Sequence, residues 1–171
     1  MVFLLLVAGY ETTVHLINNG VVTLLQHPEE LARLRAQPEL IDGAVEEILR
    51  YRSPVQGTKL AYACEDVTIA GTTIPKGAAA MPILGSANMD ASAFEEPERF
   101  DVAREPNRHL AFSHGTHFCL GAQLARLETK IALRNLIERN PDLRLAVPAE
   151  ELRLQTLPMW HRFESVPVEL G

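Results

Sequence analysis

The run Phe112-Ser113-His114-Gly115-Thr116-His117-Phe118-Cys119-Leu120-Gly121 sets a lone cysteine in a glycine-punctuated loop. Leu120, Leu124, Leu127 and Ile131 follow on one stripe, so the loop leads into an amphipathic helix. The free N–H groups and dipole of a helix start favour negative charge and so help keep the sulfur as a thiolate. Gly115 and Gly121 let the backbone approach the sulfur and its ligand closely. Such a loop can hold a thiolate against an iron, which draws electron density from the sulfur. The alternative is a buried structural cysteine acting as a small hydrophobe.

A second constellation lies in the opening stretch, Ala8-Gly9-Tyr10-Glu11-Thr12-Thr13. An acid followed by an alcohol interrupts an apolar helix weakened by glycine. The Thr12 hydroxyl can bend the helix and leave a carbonyl free to hold water. An acid and a hydroxyl side by side can relay protons. Without the cysteine downstream, the stretch would equally fit a helix that exposes a polar end. A third constellation is Glu47-Ile48-Leu49-Arg50, whose charged ends face the same way on a helix and can pair.

The loop pattern F-x-x-G-x-H-x-C-x-G resembles the haem-ligand loop of the cytochromes P-450, the haem-thiolate monooxygenases. Ala8 to Thr12 resembles the family's A-G-x-[DE]-T oxygen-activation motif, and Glu47 to Arg50 its E-x-x-R pair. The resemblance implies haem b with Cys119 as the axial iron ligand, Phe112 shielding the sulfur and His117 binding a propionate. It implies a proton relay through Glu11 and Thr12. Phe94-Glu95-Glu96-Pro97-Glu98-Arg99-Phe100 resembles the segment that completes the E-x-x-R pair, so Glu47, Arg50 and Arg99 are expected to form a structural triad. The strand before Glu65-Asp66 commonly carries an arginine for a propionate. Ala61 stands at that position here, and Lys59, two residues earlier on the same strand face, is the expected substitute. Ser113 replaces a frequent glycine, and Asn88-Met89-Asp90-Ala91 an expected Asn-Arg-Asp-Pro.

The elements that must position these residues are legible in outline. Residues 1 to about 26 read as one apolar helix, and His27-Pro28-Glu29-Glu30 starts a second that runs to about Arg35. Pro38 to Tyr51 forms a third, with Ile41, Val45 and Ile48 buried and Pro54 stopping it. Val67 to Ile69 and Thr72 to Ile74 read as a hairpin turning at Ala70-Gly71. Pro75-Lys76-Gly77 is a turn, and Ala78 to Leu84 a buried strand. Residues 85 to 110 form a long irregular segment of the kind that is usually functional. The helix after Cys119 continues to about Arg139, and Pro141 ends it. Strand candidates follow at Arg153 to Leu157 and Phe163 to Val168. The class is α+β, mostly α, with short antiparallel β elements. By resemblance, residues 1–171 are a single partial domain, the C-terminal part of a fold usually more than twice as long. Substrate-facing segments are expected around Val55 to Thr58 and Thr156 to Trp160.

The chain has 171 residues, enough for one core. A net charge of -6 gives no general attraction to nucleic acid. The apolar start lacks a positively charged leader and is too short to span a bilayer, so no membrane attachment is expected. Cys64 and Cys119 suggest no disulfide framework, which fits a reducing cytoplasm. The resemblance implies insertion of one atom of O2 into a small hydrophobic organic substrate, with electrons from NAD(P)H through a reductase and ferredoxin. A basic stripe at Arg126, Lys130 and Arg134 could dock that partner, or be a solvated face with Arg134 pairing Glu138. Alternatives are a truncated, inactive remnant and a peroxide-driven oxidase or isomerase. The truncated chain alone is expected to be inactive.

Overall fold

The computed structural model describes residues 2–155, 157 and 159–171, without the side chains of Val2, Leu4 and Leu5. Met1, Thr156 and Pro158 lie outside the described residues, and with them part of the strand and substrate-facing segment expected there. Helix α1 runs Val2–Gln26, α2 Pro28–Ala36 and α3 Ile41–Tyr51, with a 3-10 turn at Pro38–Leu40. Four short strands follow: β1 Ala61–Tyr62, β2 Val67–Ile69, β3 Thr72–Ile74 and β4 Ala79–Ala80. After a short helix α4, Leu84–Ala87, the chain is irregular until α5, Ala122–Arg139, and ends through β5 Arg144–Leu145 and β6 Val168–Glu169. β1 pairs with β4, β2 with β3 and β5 with β6, all antiparallel.

Local chemistry sets the helix ends. α2 opens on Pro28, whose missing N–H costs nothing at a helix start, and carries Glu29 and Glu30 in its first turn and Arg33 and Arg35 in its last. α3 buries Ile41, Ala44, Val45, Ile48 and Leu49. These meet Leu16, Val21 and Leu24 of α1, Leu31 and Leu34 of α2, and Leu133 and Ile137 of α5 in one core. Phe100 and Val102 of the irregular segment join the same core. The rings of His27, Tyr51 and Phe100 pack with centroids 5.0 to 5.6 Å apart and tie that segment to the ends of α2 and α3.

One expectation needs correction. The stretch Ala78 to Leu84 is not one buried strand. Pairing is confined to Ala79–Ala80, with a bridge from Ile83 to Gly57, and Leu84 already starts α4. α3 ends at Tyr51, as expected, with the Arg52 N–H bonded to the Ile48 carbonyl just ahead of Pro54. The apolar stripe of α5 does not face the core. Leu120, Leu124, Leu127 and Ile131 are all at least half exposed, while Ala122, Thr129, Leu133 and Ile137 form the buried face. Hydrophobic spacing marks a face; it does not name what covers it.

Candidate functional site

Cys119 sits on a tight loop closed on itself. Its N–H donates to the Phe112 carbonyl at 3.0 Å, and the Phe118 N–H to the Gly115 carbonyl at 3.0 Å. Gly115 takes a φ of +74°, open to glycine without strain. Ser113, where a glycine is frequent, also has a positive φ of 64°, so the departure noted in the sequence falls on a left-handed position. Cys119 is exposed. α5 starts three residues on, at Ala122, so the sulfur lies close to the helix N-terminus.

Behind the loop stands a clamp that the sequence did not announce. The Arg126 guanidinium lies 4.6 Å from the centre of the Phe112 ring. It donates twice to the Glu46 carboxylate, at 2.6 and 2.8 Å. His109 Nε2 is 3.0 Å from the same carboxylate, and its ring tilts against Phe112. Burial alone would raise the Glu46 carboxyl, but hydrogen bonds from His109 and Arg126 outweigh it and hold it at about 2. The bond to Glu46 in turn raises the Arg126 guanidinium above its ordinary value, against the opposing effect of burial.

A cavity of about 640 Å³ opens above the cysteine, within the roughly 300–1,000 Å³ of cofactor and ligand sites. Ala8, Gly9, Thr12, Thr13 and Leu16 of α1 form one wall. Phe112, His114, His117, Cys119, Gly121 and Leu124 line the cavity from the ligand loop and α5, and Pro54, Val55, Gly57 and Thr58 from the stretch after α3. Lys59 and Ala61 both line it. A side-chain carbon at Gly121 would stand 4.0 Å from the Cys119 sulfur. A cysteine sulfur, a threonine alcohol, apolar side chains, a lysine and two histidines around one cavity fit a flat, anionic porphyrin.

The two members of the expected proton relay point differently. Thr12 lines the cavity, and its hydroxyl donates to the Ala8 carbonyl at 2.6 Å within an unbroken helix. Glu11 is not among the cavity's lining residues. Its carboxylate is 3.3 Å from the Arg162 guanidinium in the C-terminal loop.

Glu47 and Arg50 are wholly buried and joined by two hydrogen bonds of 2.8 Å. Arg50 also donates to the carbonyls of Asn88, Pro97 and Arg99. Glu47 accepts from the Asp101 N–H, Asn107 Nδ2 and Arg104 Nε at 3.0 to 3.1 Å. Arg99 is therefore not the third ionic member. Its side chain is exposed and pairs with Glu96, and only its carbonyl touches the lock. Arg104, five residues later, brings the cation to Glu47 and itself donates to the carbonyls of Glu95, Glu96 and Arg99. A fully buried carboxylate facing several donors needs that charge, but the irregular segment has no periodicity from which to choose between two arginines. Asn88 completes the support by accepting the Leu110 N–H at 2.7 Å.

The basic stripe is charge-compensated: Arg126 pairs with Glu46, Lys130 with Asp42 at 2.7 Å, and Arg134 with Glu138 at 3.6 Å.

Among known proteins, the sequence model of the family Cytochrome P-450 matches residues 1–141. The chain is 50% identical over all 171 residues to cytochrome P-450 107B1 of Saccharopolyspora erythraea, spanning 42% of that protein. It is 51% identical over 165 residues to the biotin biosynthesis cytochrome P-450 of Bacillus subtilis, 96% of this chain and 41% of that one. Among solved structures, the Bacillus subtilis polyketide synthase cytochrome P-450 PksS superposes with a TM-score of 0.95 at 47% identity, over 100% of this chain and 44% of that one. The tirandamycin C-bound monooxygenase TamI superposes with a TM-score of 0.96 at 41% identity, over 100% and 43%. The chain thus spans less than half the length of the relatives it matches. Among the described residues, no helix is long and apolar enough to cross a membrane.

Proposed function

The chain belongs to the cytochrome P-450 family, whose cofactor is haem b, and from that premise we propose that it forms the thiolate half of a monooxygenase. One atom of O2 enters a small hydrophobic organic substrate, and the other leaves as water with two protons and two electrons from NAD(P)H. The observation that carries this reading is the one cavity that both Cys119 and Thr12 line.

When bound, haem supplies an iron at which O–O cleavage is favoured by electron density from the sulfur. The work of this chain is to hold and protect that centre. Cys119 offers the thiolate, favoured by the nearby start of α5. Phe112, fixed by the Arg126–Glu46–His109 clamp, keeps water from the sulfur. Gly115 and Gly121 leave room for the ring, and His117 and Lys59 take the propionates, Lys59 in place of the arginine missing at Ala61. The Thr12 hydroxyl proton rests on the Ala8 carbonyl, so its oxygen is free to accept from a water in the cavity. Glu11 restores the proton. Glu47, Arg50 and Arg104 lock the irregular segment beneath the ligand loop.

We read residues 1–171 as one partial domain of a cytoplasmic enzyme. A ferredoxin delivers electrons over α5 at Arg126, Lys130 and Arg134. With each cation already paired to an acid, attraction there is short-range, so salt should slow electron delivery only modestly. A second reading is favoured by the exposed face of α1 (Phe3, Leu6, Val7 and Tyr10) together with the exposed stripe of α5. On that reading the chain turns over only when more polypeptide covers these faces.

The test is the carbon monoxide difference spectrum of the reduced, haem-reconstituted chain. A red-shifted thiolate Soret band that disappears in Cys119→Ala is the expected result. A band unchanged in that variant refutes the assignment of the ligand.

A further inference from the structure

Glu46 and Glu47 stand side by side on α3 and serve different segments. Glu47 locks the irregular segment, whereas Glu46 meets His109 and Arg126 behind the cysteine loop. The charge of this trio follows from its hydrogen bonds. The Ala111 N–H donates to His109 Nδ1 at 3.2 Å, so that nitrogen carries the lone pair. Nε2 therefore carries the proton and donates to the Glu46 carboxylate at 3.0 Å, and the imidazole is neutral. Arg126 is then the one cation of the trio and Glu46 the one anion, and the two cancel.

The cancellation matters because of where Arg126 sits. Its guanidinium lies 4.6 Å from the centre of the Phe112 ring, and the Phe112 carbonyl accepts the Cys119 N–H at 3.0 Å. Its charge and that of the sulfur feel each other: the guanidinium is raised first by its bond to Glu46, against burial, and then by the charges of Glu46 and Cys119. The Arg126 and Glu46 side chains are 27% and 29% exposed, so water screens them only in part. A bare cation here would hold negative charge on the sulfur and weaken the electron donation that a thiolate ligand supplies. A flat guanidinium is nevertheless a good platform for an aromatic ring. Glu46 lets it serve as one without its charge.

We propose that Glu46 is a positioning residue for the thiolate: it fixes Arg126 against the Phe112 ring and cancels the guanidinium charge at the Cys119 sulfur, so that the loop is supported without a net charge beside it. His109, whose side chain is 3% exposed, holds the carboxylate as a neutral donor and leaves that balance undisturbed. The proposal rests on the reading of Cys119 as the iron ligand and adds to it a residue of α3 that lies outside the ligand loop.

Alkylation of Cys119 by an anionic and by a neutral reagent reads the charge at the sulfur without haem. Iodoacetate and iodoacetamide consume the same thiolate, so the ratio of their rates cancels both the thiolate fraction and the openness of the loop. The experiment uses the full chain carrying Cys64→Ser, because Cys64 is also exposed, at about pH 8, above the ordinary imidazole range. E46Q should raise the iodoacetate-to-iodoacetamide ratio by roughly twofold, the effect of one unit charge several ångströms away in a watery medium. R126Q should lower it by a similar factor, and the double variant should return it to the wild-type value. R126K should keep the wild-type ratio. A loop that is merely loosened would speed both reagents alike and leave the ratio unmoved. A ratio that stays constant in both single variants, or moves the same way in both, overturns the proposal. If E46Q loses chemical-shift dispersion, R126Q against R126K decides, and equal ratios overturn it. In the haem-loaded chain one-electron reduction adds one negative charge, so the reduction potential should rise in E46Q and fall in R126Q; the reverse order overturns the proposal as well. Failure of the ligand reading shows up elsewhere, as a carbon monoxide band unchanged in Cys119→Ala, and leaves the alkylation ratios intact.

Discussion

Glu47→Gln removes one charge from the most enclosed ionic cluster among the described residues. Glu47 is 0% exposed and accepts five hydrogen bonds, two from Arg50 and one each from Asp101, Arg104 and Asn107. Glutamine keeps the shape but must turn an N–H2 group toward at least two donors, Arg50 Nε and Asn107 Nδ2. It also leaves two guanidinium groups without their counter-charge. Breaking a buried pair in this way costs about 3–5 kcal/mol, a large part of the roughly 5–15 kcal/mol available to a domain. With a urea slope of about 2–3 kcal/mol per molar, the unfolding midpoint should fall by roughly 1–2.5 M. Urea unfolding followed by far-UV circular dichroism measures this. Amide exchange should locate the damage at Asp101 and Leu110, whose N–H groups are held by Glu47 and Asn88. Arg104→Gln should lower the midpoint by a smaller but clear amount, and Arg99→Gln should leave it unchanged. A silent Arg104→Gln beside a damaging Arg99→Gln would refute the placement of the third cation.

The clamp behind the cysteine loop should govern acid stability. The Glu46 carboxyl is held at about 2 against an ordinary 4.5, so its contribution is complete above about pH 4.5 and is lost as pH falls toward 2. Acid titration of Glu46→Gln by circular dichroism should show a flatter loss of stability across that window, and a profile identical to wild type would refute it. Gly43→Ala would set a methyl carbon 2.6 Å from the Val102 carbonyl oxygen, a backbone atom that cannot yield cheaply. It should cost about 1–3 kcal/mol in urea unfolding, and a neutral result would mean that α3 and the irregular segment part easily. Lys59→Met should weaken haem retention after reconstitution, read as faster haem loss to apomyoglobin, more than Lys76→Met on the turn before β4. Equal rates would remove Lys59 from the propionate site.

Local spacing carries much of this protein. The cysteine loop, the helix starts at Pro28 and Ala122, the hairpin at Ala70-Gly71, and the Glu47–Arg50 pair are set within a few residues by proline, glycine, capping charge and the 3.6-residue repeat. Each was therefore readable from the chain as written. The rest depended on contacts between residues far apart in sequence. Arg104, and not Arg99, meets Glu47 because the irregular segment folds back over α3. Glu46 reaches Arg126 and His109 because α3 lies beside the ligand loop. Glu11 turns to Arg162, 151 positions away, although Thr12 beside it faces the cavity. Neither propensity nor periodicity acts across such distances, so only packing could choose among several arginines and decide which face of a helix serves the core and which the cavity.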